Sequence, residues 1–132
     1  MNITPWQLWD LQTGAPTEFT PKILHFLDRG LELQEIEQRA RCHHPPARNP
    51  GLLHMYIHVW EMSPTPEKAL LAADHLRDLC PDVGHLRHMP SHLDIQCGHY
   101  HAALEANSRA IVADRKMLEH HGPLNFYTLY RC

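Results

Sequence analysis

Two histidines four residues apart, His54 and His58, stand in the stretch LLHMYIHVWEM, and Glu61 follows three residues later. A second such pair, His88 and His92, stands in GHLRHMPSHLDIQCG, with His85 three residues before it. On an α-helix, spacings of three and four bring side chains out on one face. Imidazole nitrogens and carboxylate oxygens gathered that way are the donors that first-row transition ions take. Two chelating pairs on adjacent helices supply the nitrogens of a zinc or copper site, and Glu61 and His85 leave donors for a second ion. Dimetal helix bundles build their centres from comparable inward carboxylate and histidine pairs three apart, a spacing that His58–Glu61 and His85–His88 share. The candidate metal set is therefore His54, His58, Glu61, His85, His88 and His92, with Zn, Cu, Fe or Mn as the ions to consider. Glu61 doubles as the candidate catalytic carboxylate, a ligand or general base. The zincin pattern HExxH is absent, because Met55 follows His54. No cysteine pair has zinc-finger spacing. Met55 and Met89 each follow a histidine of the set, point about 100° away from it and are expected in the core.

These residues belong to a repeat. Slid against itself by 34 positions, the chain matches Leu52 with Leu86, His54 with His88, Met55 with Met89 and His58 with His92; Ala69, Leu70 and Ala72 match Ala103, Leu104 and Ala106. Chance would give roughly two matches over such a window, at about 6% per position. Each copy reads as a helix, a tight turn and a second helix. Pro64 stops the first helix, Pro66 suits the first turn of the next, and Ala69, Leu70, Ala73, Leu76 and Leu79 form an apolar stripe that Pro81 ends. In the second copy, Gly98 stands where a helix C-terminal glycine belongs. Pro90 falls between His88 and His92. It implies either a kinked helix or a helix that starts at Pro90 with GHLRHM as its approach.

The 34-residue period, the Gly98–Tyr100 turn, small Ala103 and Ala110 seven apart and the closing Pro81 resemble the tetratricopeptide repeat. The first turn departs from that pattern, with Pro64 and Pro66 in place of glycine and tyrosine. LHMYIH..E and GH..HMPSH further resemble a His-rich subgroup of tetratricopeptide-like proteins. The resemblance implies an all-α, right-handed array of helical hairpins. It divides the chain into a partial helical unit with a Pro-rich loop over 1–49, repeats over 50–83 and 84–117, and the start of a further unit over 118–132. It also implies that the stripe through His54, His58 and Glu61, with His85, His88 and His92 on the neighbouring helix, lines a concave groove. It implies that the chain continues past its aromatic tail NFYTLYRC, an apolar end that offers a surface for self-association.

Of the 132 residues, 13 are histidine. His43, His44, His120 and His121 are expected in loops, His75, His99 and His101 on the surface. Trp60 and Tyr56 are expected to pack between helices, and Asn107 and Arg109 are candidates to support the site from behind. A net charge of −3 is too mild for a nucleic-acid or membrane surface. No apolar run nears the roughly 20 residues of a membrane span. Four scattered cysteines and no signal-like start make the cytoplasm the expected location. Two functions fit. One is a metal-dependent enzyme with a His/Glu-ligated ion as Lewis acid or redox centre, acting on a small molecule or peptide in the groove. The other is a non-catalytic repeat scaffold that binds a peptide there.

Overall fold

The structure is a computed structural model that describes residues 8–40 and 48–123. The described residues are helical, with one isolated bridge between Trp9 and Pro16 and no strand. The helices are α1 (Thr20–Ala40), α2 (Pro50–Trp60), α3 (Leu70–Leu76, entered through a 3-10 turn, Pro66–Ala69), α4 (Gly84–His88), α5 (Pro90–Gln96) and α6 (Tyr100–His121). Helix α1 packs on α2, α2 on α3, α3 on α5, and both α4 and α5 on α6; α2, with His54 and His58, and α5, with His92, also touch. No helix among the described residues is long and apolar enough to cross a membrane.

Local chemistry explains where these helices begin and end. Asn49 caps α2, its side-chain oxygen accepting from the Leu52 N–H at 3.1 Å, and Pro50 fills the first helical position, where no donor is needed. Gly98, at φ +79°, turns the chain after α5, and the His99 N–H then bonds back to the Asp94 carbonyl at 2.7 Å. Helix α3 ends at Leu76, before the expected Leu79, in a tightened turn closed by Leu79 N–H to Leu76 C=O at 3.2 Å. Pro81 disfavours helical backbone in the residue before it, so the chain leaves the helix early. Helix α6 continues unbroken to His121, so residues 118–121 extend the second hairpin and do not begin a new unit; Gly122, at φ +72°, ends it. His120 and His121 are thus in a final helical turn, not a loop, where their side chains suit the negative end of the helix dipole. Residues 41–47, with His43 and His44, and the tail 124–132 lie outside the described residues.

The core runs through both hairpins. Leu53, Ile57 and Trp60 form the buried stripe of α2, Ala69, Ala73 and Leu76 that of the turn and α3, and Met89, just before α5, and Leu93 within it continue the core. In α6 the stripe is made of small residues, Ala103, Ala106, Ala110 and Ala113, which let α4 and α5 come close. At Gly84 the approach is so tight that a Cβ would stand 2.0 Å from Asp114 Oδ1 and 2.9 Å from the Ala110 carbonyl oxygen. Met55 departs from expectation. It is half exposed while Met89 is fully buried. Leu53 and Ile57 already fill the inward face of α2, whereas α5 is enclosed by α2, α3 and α6. Trp9, brought in by the segment before α1, stacks on Trp60 at 5.5 Å and donates its indole N–H to the Val59 carbonyl at 2.6 Å. Tyr56 also packs against Trp60, with ring centroids 6.2 Å apart.

Candidate metal centre

On α2 the stripe His54, His58, Glu61 sits one residue beyond the buried stripe Leu53, Ile57, Trp60, so it emerges at the rim of the core. The second pair follows suit. Pro90 divides α4 from α5, but Met89 between them keeps helical angles (φ −50°, ψ −40°). The chain is therefore an interrupted helix, and His85, His88 and His92 stay on one side of it. All six expected residues come together, half-buried except for the more deeply buried Glu61. Five of them supply ligand atoms to two sets within 4.8 Å, one of His54, His58 and His85, the other of His58, Glu61 and His92; His88 belongs to neither and meets the cluster through His92. His/Glu groups are thus close enough to bind a metal ion.

The contacts run in one line. His85 Nε2 lies 3.2 Å from His54 Nε2, which lies 3.0 Å from His58 Nε2. His58 Nδ1 is 3.0 Å from one oxygen of Glu61, and His92 Nδ1 meets the other oxygen. His92 Nε2 is 2.7 Å from His88 Nε2, and His88 Nδ1 is 2.7 Å from Asn107 Oδ1. Asn107 is held that way round because its amide donates to the Ala103 carbonyl at 3.0 Å. The five rings close a circuit, with neighbouring centroids 4.6 to 6.3 Å apart.

Proton counting decides what this line needs. Each neutral imidazole carries one N–H, and neither an ionised carboxylate nor the Asn107 oxygen can donate. Between the acceptors Glu61 and Asn107, His92 and His88 therefore bring two protons to three contacts. With every histidine neutral, at least one contact sets two lone pairs face to face. A cation, either a proton or a metal ion, completes the line. A tetrahedral ion with metal–nitrogen bonds of about 2.0–2.1 Å separates its nitrogens by about 3.3 Å, close to the spacings here.

Burial works against protonating three of the imidazoles. Burial, reinforced by the neighbouring His58, His85 and His92, pushes the His54 pKa down to about 4. Burial likewise lowers His85 and His88, with Asp114 opposing the shift at His85 and the Asn107 hydrogen bond opposing it at His88. For Glu61, burial acts to raise the pKa, but hydrogen bonds from His58 and His92 and their charges outweigh it and bring it down to about 2. The carboxylate is ionised throughout the physiological range and His54, His85 and His88 resist protonation, which is the state ligands must be in.

Two residues around the cluster are less visible in the sequence. Asn107 holds His88 in place, and its counterpart 34 residues earlier is Ala73, so no repeat signal marks it. Asp114 is buried, approaches Gly84 and acts on His85. Arg109 does not support the site: it pairs with Asp78 and Glu105 and lines a separate cavity of about 270 Å³ beside Arg77 and Asp94. His99 and His101 are exposed, and Trp60 is buried against Trp9, away from any groove role. Compared with known protein families, curated proteins and solved structures, the chain matches none.

Proposed function

We propose that the protein is a tetratricopeptide-like repeat protein whose two first helices line a groove, and that this groove binds a transition-metal ion through its histidines. The observation that carries the reading is the proton deficit: two imidazole protons for the three contacts between Glu61 and Asn107, beside His54, His85 and His88, which resist protonation. Imidazole-rich donors suit zinc and copper, with iron next. The chemistry such an ion brings to a partly exposed groove is Lewis-acid activation or redox turnover of a bound small molecule or peptide. The competing reading is a groove that binds a peptide through its polar face without metal.

Metal analysis separates the two. Protein purified without a histidine tag, then offered Zn, Cu, Fe or Mn against a competing chelator and dialysed, is expected to hold a stoichiometric ion. Protein that retains none after each reconstitution leaves the peptide-binding scaffold as the surviving reading.

A further inference from the structure

Glu61 is among the groups close enough to hold an ion, yet its place in the line of contacts gives it a different task. It stands at the midpoint. One oxygen takes His58 Nδ1 from α2, and the other takes His92 Nδ1 from α5. Each of these histidines is the partner, four residues on, of a second histidine, and both pairs meet through Nε2. Glu61 has no counterpart in the second copy, where Ile95 stands 34 residues later. A single carboxylate therefore serves both pairs.

The tautomers follow. A carboxylate can only accept, so His58 and His92 present Nδ1–H to it and leave Nε2 bare. The Asn107 oxygen does the same for His88. His88 and His92 then face each other at 2.7 Å with two lone pairs and no proton between them. The missing cation belongs at that contact, not on the carboxylate side, where both links are already supplied with protons; the His58–His54 contact can take its proton from His54 Nε2. Carboxylates placed behind metal-bound histidines act this way in general: they fix the ring, raise its basicity and touch no metal.

On the reading of this groove as a metal site, we propose that metal is taken up on the Nε2 side, at the His88–His92 contact and in the set of His54, His58 and His85 whose ligand atoms lie within 4.8 Å of one another, and that Glu61 is a positioning residue shared by His58 and His92. Asn107 plays the same part for His88. An ion bound instead through Glu61 and the two Nδ1 atoms would have to displace both carboxylate hydrogen bonds.

The test uses the full chain loaded with zinc. A long-range proton–nitrogen NMR correlation spectrum assigns, ring by ring, which nitrogen carries a proton and which carries zinc. The expected result is Nδ1–H with zinc-bound Nε2 at His58, His88 and His92. Glu61→Gln should still bind zinc, with affinity lower by on the order of 10–100-fold, and should lose the single Nδ1–H tautomer at His58 and His92, while His92→Ala loses tight binding outright. Zinc found on Nδ1 of His58 and His92, or Glu61→Gln as empty as His92→Ala, overturns the assignment while leaving the metal site standing. A wild-type chain that takes up no zinc, copper, iron or manganese overturns the metal reading itself and this inference with it.

Discussion

Helix α5 has a buried polar cluster on each side, and the two are built on opposite principles. On one side Asp94, fully buried, receives two N–H bonds from Arg77 at 2.7 and 2.8 Å, and Arg77 gives its remaining Nε–H to Asp74 at 2.9 Å. The buried Asp94 carboxylate and the Arg77 guanidinium match in charge and in hydrogen bonds within the protein, while Asp74 is exposed. On the other side the histidine line lacks a proton for one of its contacts. A matched network is complete as it stands and holds α3 to α5. An unmatched one at the rim of the core is completed from outside, and that distinguishes a site from a brace.

The largest expected effect is on the brace. Asp94→Ala leaves the Arg77 guanidinium half-buried without its main partner, and removing one member of such a pair costs about 3 kcal/mol or more. Urea unfolding should show that loss equally with and without chelator, because no ion takes part. A chelator-dependent loss would mean that the two clusters are coupled.

Next comes the ion itself. Metal supplied at 100 times its dissociation constant adds about 2.7 kcal/mol to folding. Calorimetry on wild type should therefore show a clear drop in melting temperature on adding chelator. His92→Ala should melt alike with and without it. Gly84→Ala, whose Cβ would collide with Asp114 and the Ala110 backbone, should weaken metal binding by displacing α4 and His85.

The dependence on pH sharpens the contrast. His54 in the folded chain has a pKa of about 4, below its ordinary 6.5. The unfolded chain therefore binds the proton more readily. Stability held by neutral His54 is fully present above about pH 6.5 and is lost as pH falls towards 4. Protons compete with the ion over the same window. The chelator-induced drop should be clear at pH 7.5 and small at pH 5. Arg77, whose pKa is raised by its Asp94 bonds, stays charged across that range. The smallest effects belong to His75→Ala and His120→Ala, which stand outside the line and should change stability by no more than about 0.5 kcal/mol.

The line was legible in the sequence as far as helical spacing reaches. Intervals of three and four set His54, His58 and Glu61 on one face, and the 34-residue offset set His88 and His92 on a second face beside it. What the spacing does not carry is contact between elements. Asn107, a candidate supporting residue in the sequence, meets His88 across 19 residues, and no helical spacing pairs the two. Asp114 reads as an ordinary helix-surface acid until Gly84 lets α4 close on it. Trp9 lies in a segment with no periodicity, and its place is set by Trp60 and the Val59 carbonyl, 50 residues on. Met55 shows the converse limit. Its repeat partner Met89 is buried, but identity at equivalent positions does not fix burial when the flanking helices differ.

The most direct test of the metal site is a zinc titration of five full-length proteins against a competing chromophoric chelator: wild type, His58→Ala, His92→Ala, His75→Ala and His120→Ala. The account predicts that wild type, His75→Ala and His120→Ala withdraw zinc from the chelator with equal affinity, and that His58→Ala and His92→Ala do not withdraw it. All four variants behaving alike, whether they bind zinc or not, would contradict it.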